Sequence, residues 1–218
     1  MEYQNDTGFL DISDFVYIKS NSLEESLCEY IIDKFEEDDR KKKGVIGKNT
    51  LDTVAKQCLD LRISDLDSWK DIDEKLCQSL RVGISEYLKF ILDNGKGLGF
   101  FPHDEYSDDG YIISKYDKDE YYTWHNDYHV SCVKGTSCLS YIWCLNTLKR
   151  DGQIQFIDGA KVRSEVGNLI IFPASWNISY RFLKVKNNPK YIISGYFYQQ
   201  GNPNVYSSQT GTTPKENN

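Results

Sequence analysis

Leu23, Leu27, Ile31 and Phe35 recur every four residues through "SNSLEESLCEYIIDKF", the spacing of one buried stripe on an amphipathic helix. Ser22, followed three residues later by Glu25, predicts a capping box at the start of that helix, and "FVYIKS" just before it reads as a short strand. A second stripe, Trp69, Ile72, Leu76, Leu80, Ile84, Tyr87, Leu88 and Ile91, predicts a long helix over 68–92, weakened only at Gly83. "DNGKGLGFFPHDEYSDDG" is rich in turn residues and reads as a loop. From Gly110 onward the period shortens. "YIISKY", "YYTWHNDYHV", "CLSYIWCLN", "GQIQFID", "KVRSEV", "NLIIFPAS", "SYRFLKV" and "KYIISGYFYQ" alternate between turn signals and predict eight short strands.

Strands at this spacing suggest a sandwich or jelly roll. The expected architecture is an all-β core, with the two N-terminal helices packed on the outer face of one sheet. Residues 1–12 then form an extension and 13–199 a single domain, with helical support at about 22–92 and the strand core at about 110–199. The polar stretch 200–218, "NPNVYSSQTGTTPKENN" among it, predicts a flexible tail.

Charge and composition narrow the function classes. A net charge of -7 disfavours bulk attraction to nucleic acid or anionic lipid. The basic run Arg40 to Lys43 follows the acidic Glu36 to Asp39, so it reads as a solvated loop. No apolar run approaches the roughly 20 residues of a membrane helix, and the N-terminus lacks the pattern of a signal peptide. A cytoplasmic protein is expected. The six cysteines contain no CxxC pair, so free thiols acting as small buried hydrophobes are expected, Cys132, Cys138 and Cys144 included.

The candidate chemistry lies in "TWHNDYH". On a strand His125 and Asp127 project to one face with Cα atoms about 6.5 Å apart. Such a pair can converge on one ion, and an imidazole with a carboxylate suits Fe(II) if a second histidine arrives from another strand. His-x-Asp also arises as an ordinary polar sheet edge. His129 lies about 13 Å along a strand from His125, too far to share one ion, and reads as an edge residue. His103, in the loop, is a remote alternative ligand.

Several spaced features together resemble the 2-oxoglutarate and Fe(II)-dependent oxygenases, specifically the prolyl 4-hydroxylase-like branch. That family presents, in order, a tyrosine, His-x-Asp, a distal histidine and a lysine or arginine. Here Tyr116 stands nine residues before His125, and Lys190 stands 65 after it. "LNTLKRDGQIQF" is similar to the turn and strand before the distal ligand, with Asp151-Gly152 where a Gly-Gly pair is common. "GNLIIFPASW" resembles the strand leading to that ligand, and "SDFVYIKSNSLEESLCEYIIDKFE" resembles the family's opening. The resemblance spans roughly residues 13 to 199. It implies a double-stranded β-helix of jelly-roll, cupin-like form, Fe(II) as metal and 2-oxoglutarate as cosubstrate. It further implies His125 and Asp127 as metal ligands, Lys190 and Tyr116 on the distal carboxylate, a role for L-ascorbate, and a peptidyl-proline or other small substrate. Trp124, Tyr128 and Trp143 are candidates for lining a peptide groove.

One position departs from the pattern. Ten residues before Lys190 and seven after Pro173 stands Tyr180, where the family carries histidine. Tyr180 as a phenolate ligand is one reading, at the cost of removing a proton that normally leaves near pH 10. A site with two protein ligands is another. The third is a jelly-roll binding module that has lost the distal ligand.

Overall fold

A computed structural model describes residues 12–47, 50–94, 106–131 and 134–199; His103, Cys132 and the segments 1–11 and 200–218 lie outside the described residues. Two helices occur where the two apolar stripes place them. Helix α1 (Glu25–Glu37) buries Cys28, Ile31 and Phe35, and α2 (Lys70–Asp93) buries Ile72, Leu76, Leu80, Tyr87 and Ile91.

The helix ends differ from expectation. Glu24 is the N-cap of α1 and no side chain caps it, so the Ser22–Glu25 capping box does not form. The Ser22 hydroxyl instead lies 2.8 Å from that of Ser79 on α2 and accepts from the Trp143 indole at 3.3 Å, tying the entrance of α1 to its neighbours. The basic run is not a free loop either. Lys41 donates to the carbonyls of Phe35 and Glu36 at 2.8 Å, where a cation complements the helix C-terminus. Arg40 forks onto Asp38, which also accepts from the Trp69 indole at 2.9 Å. Lys42–Lys43 form a strand, β2, beside β3 (Leu59–Arg62).

The strands make two antiparallel sheets. The larger runs β1 (Tyr17–Lys19), β11 (Leu169–Pro173), β8 (Gly135–Cys144), β13 (Lys190–Gln199), β5 (Ile112–Tyr116), β3, β2. Short β4 (Tyr106–Asp108) pairs with β13 and β7 (Val130–Ser131) with β8. The smaller runs β10 (Lys161–Val162), β9 (Ile154–Phe156), β12 (Tyr180–Phe182), β6 (Tyr122–His125). Alternation sorts the larger sheet into two cores. Tyr141, Trp143, Ile171 and Ile193 face the helices, while Ile142, Cys144, Ile170, Phe172 and Ile192 face the smaller sheet. Burying each aliphatic side chain stabilises by about 1.5–3 kcal/mol.

This layout is the expected double-stranded β-helix with two helices on one sheet. Trp143, offered above for a peptide groove, is wholly buried in the helix-facing core because its position in β8 points it away from the barrel. The cysteines named among the described residues, Cys28, Cys58, Cys77, Cys138 and Cys144, are free. Among the described residues, no helix is long and apolar enough to cross a membrane.

Candidate functional site

Antiparallel register brings the distant candidates together. His125, ending β6, stands opposite Tyr180, beginning β12; Tyr116, ending β5, stands opposite Lys190, beginning β13. Each pair therefore sits at a strand end, one on the smaller sheet and one on the larger, facing the interior between them.

The imidazole of His125 is held in one state. Its Nδ1 lies 2.7 Å from the Thr123 carbonyl, which only accepts, so Nδ1 carries the proton and Nε2 presents a lone pair. Nε2 is buried and has no hydrogen-bond partner among the described residues. Burial lowers the pKa of His125, against the raising influence of Asp127, which keeps the ring neutral. Tyr122 stacks on it at 3.5 Å between centroids.

Asp127 follows in the turn after β6 and is buried. Ser137 Oγ fixes the turn by donating to the Asp127 carbonyl at 2.8 Å. The carboxylate Oδ2 accepts from Ser140 Oγ and from Tyr180 Oη, each at 2.7 Å. Burial and the nearby Asp127 charge push the Tyr180 phenol well above its ordinary pKa. It is therefore a protonated donor to the carboxylate rather than an anionic oxygen. Among the described residues no cluster of three His, Cys, Asp or Glu side chains forms.

Lys190 is the other unusual group. It is 0% exposed, and Nζ has no hydrogen-bond partner among the described residues. Its amine sits 4.1 Å from the centroid of Phe182. Burial, opposed in part by Cys144, brings its pKa down to about 8. Tyr116 across the ladder is equally buried, and burial first, then the charges around Cys58 and Asp60, keep its phenol protonated.

A cavity of about 350 Å³ opens beside these groups. Its lining includes Tyr116, Tyr122, Asp127, Tyr180 and Phe182, together with Lys56, Asp60 and Arg62. The last three were not anticipated. They come from β3 and its approach, where Lys56, Cys58, Asp60 and Arg62 alternate with Leu59, Leu61 and Ile63; a period of two with a polar inner face was the available signal. Lys56 reaches Asp60 at 2.6 Å, and Asp60 also accepts from Ser114 at 2.6 Å. Tyr128 and His129 line the cavity while remaining exposed to solvent. Trp124 is 38% exposed and lies under the Arg181 guanidinium at 4.6 Å.

The donor set can be tested against the groups that the sequence resemblance implies. A bare, buried imidazole nitrogen beside a buried carboxylate suits a divalent metal as two of its ligands. A buried amine without a partner suits a carboxylate. The Tyr180 hydroxyl is engaged as a donor to Asp127 in this arrangement.

Comparison with known proteins agrees with the fold. Residues 111–198 match the family model described as 2OG-Fe(II) oxygenase superfamily. No curated protein sequence matches the chain. Among solved structures, the chain is similar to the viral collagen prolyl hydroxylase of Paramecium Bursaria Chlorella virus-1 in its 2OG complex, with 16% identity, 84% of this chain and 95% of that chain covered, and a TM-score of 0.61. A Pseudomonas putida prolyl-4-hydroxylase matches with 13% identity over 87% of this chain and 96% of that chain, TM-score 0.60. A prolyl hydroxylase from Trichoplax adhaerens, in complex with a hypoxia inducible factor oxygen degradation domain peptide fragment, matches with 14% identity over 86% of this chain and 84% of that chain, TM-score 0.64.

Proposed function

We propose, from the match of residues 111–198 to the 2OG-Fe(II) oxygenase superfamily model, that this chain is an Fe(II)- and 2-oxoglutarate-dependent dioxygenase of the prolyl 4-hydroxylase type. The observation that carries the reading is a pair of buried nitrogens without hydrogen-bond partners among the described residues, His125 Nε2 and Lys190 Nζ. An unsatisfied buried polar atom costs about 1–3 kcal/mol, and two of them in one barrel are accounted for by a metal and an anion.

His125 and Asp127 would hold the metal, and Lys190 with Tyr116 would hold the distal carboxylate of the cosubstrate. Bound Fe(II) with 2-oxoglutarate supplies the oxidising power for hydroxylation of a C–H bond by dioxygen, with succinate and carbon dioxide as the other products. The protein's own part is positional. Thr123 fixes the imidazole tautomer. Ser140 and Tyr180 aim the Asp127 carboxylate, and Tyr180 acts there as a hydrogen-bond donor, leaving two protein ligands. The cavity lined by Asp127, Lys56 and Asp60 would receive the substrate. An extended peptide carrying proline is the substrate class favoured, in keeping with the peptide bound by the Trichoplax relative; exposed Trp124 and Tyr128 suit an apolar chain at the approach.

The test is succinate release by the full chain with Fe(II), 2-oxoglutarate, ascorbate and oxygen. Release above that of Lys190→Ala is expected, and release equal to that variant over hours would overturn the reading. A second reading, a non-catalytic binding module, is favoured by one observation: Asp127 Oδ2 is already occupied by two donors. It predicts no thermal stabilisation by Mn(II) with 2-oxoglutarate, whereas binding at 100 times Kd adds about 2.7 kcal/mol.

A further inference from the structure

Phe182 occupies a place that none of these roles explains. It is buried on β12, two residues beyond Tyr180. Its ring lies 5.3 Å from that of Tyr116, 5.7 Å from Tyr180 and 6.2 Å from His125, and 4.1 Å from Lys190 Nζ. Phe182 lines the cavity, and Lys190 is not among the residues that do. The ring thus borders both the open space and the buried amine.

We propose that Phe182 is a gate to Lys190, a side chain that must withdraw before a carboxylate can reach the ammonium. The inference rests on the reading of Lys190 as the anchor of a dicarboxylate. An aromatic face attracts a cation through its quadrupole, so the ring offsets part of the ammonium's burial cost without a hydrogen bond and competes with an incoming anion for it. The ligand class is set by this competition. A carboxylate replaces the ring because a charge-assisted hydrogen bond is the stronger partner, whereas a neutral group of the same size leaves the ring in place.

The experiment compares wild type, Phe182→Leu and Phe182→Val, with Mn(II) bound and 2-oxoglutarate titrated by calorimetry and by stopped-flow fluorescence. Thermal unfolding checks that each variant is folded; leucine keeps most of the ring's volume, so the comparison holds if valine collapses the barrel. The expected result is association that is faster in Phe182→Leu, and an affinity about tenfold higher, with both lost on adding Lys190→Met. A merely structural phenylalanine would change the unfolding temperature and leave the association rate alone. Wild-type rates and affinity in a folded Phe182→Leu, with Lys190→Met still abolishing binding, would overturn the gate and keep the Lys190 assignment. Absence of 2-oxoglutarate binding in both folded proteins would overturn the Lys190 assignment and the gate with it.

Discussion

Replacing Lys190 with methionine should make the ligand-free protein more stable at neutral pH, although it removes a charged residue from the candidate site. The amine is 0% exposed, and its pKa is lowered from 10.5 to about 8. That drop corresponds to about 3 kcal/mol of penalty for carrying the charge in the folded state. Methionine fills a similar volume without charge, and forgoes up to about 2 kcal/mol of attraction to the Phe182 ring. A net gain of about 1–3 kcal/mol follows, which for a chain of this size raises the unfolding temperature by roughly 2–4 °C per kcal/mol. The sign of the pH dependence is fixed by the same shift. Below pH 8 the folded and unfolded lysines are both charged and the penalty is complete. Between pH 8 and 10.5 the unfolded state binds more protons, so this residue's contribution makes wild-type stability rise with pH. Lys190→Met lacks that rise, and the difference between the two proteins should shrink from about pH 7 to about pH 10. Paired urea or thermal unfolding at the two pH values measures it. A variant less stable than wild type at neutral pH, or a difference that stays constant with pH, would refute the reasoning.

Two further outcomes follow from named contacts. Tyr180→Phe removes a buried hydrogen bond to Asp127 and should cost about 2 kcal/mol, or roughly 4–8 °C of unfolding temperature; it should also tighten Mn(II) binding by freeing a carboxylate lone pair, whereas a loss of metal binding would make the phenol oxygen a ligand. Gly167→Ala should destabilise by about 2–4 kcal/mol in urea titration, because φ there is +77° and an added Cβ would run into the Leu23 carbonyl oxygen; an unchanged midpoint would contradict this.

Much of the fold was legible because periodicity separates its parts. The long stripe from Ile72 to Ile91 and the alternation of Ile192 with Ile193 each assign a face to a side chain from residue order alone. What escaped has physical reasons. β3 is four residues long and turns its polar side chains inward, so "CLDLR" reads as surface. The Ser22 capping signal was real in pattern, but a hydroxyl from Ser79 competed for the same group. Trp143 went to the wrong face because aromatic residues suit a groove and a core equally, and only register decides. At the candidate site, the order Tyr116, His125, Asp127, Tyr180, Lys190 was visible in the sequence. The direction of the Tyr180 proton was not, since it depends on a carboxylate 53 positions away. Neither was the ring over Lys190, which requires knowing that β12 and β13 approach within the barrel.

The β3 wall carries a consequence for how this molecule can change. Lys56, Asp60 and Arg62 line the cavity and precede the segment 111–198 that matches the oxygenase family model. The residues proposed to grip metal and dicarboxylate are thus written in one stretch of chain, and a smaller share of the cavity lining is written in another, between the helices. On the proposed function, substitutions in the earlier stretch would alter the cavity lining while leaving His125, Asp127, Tyr116 and Lys190 in place, so the two sets of residues are free to change separately. A fragment cut down to 111–198 would keep those four residues and lose Lys56, Asp60 and Arg62 from the cavity lining.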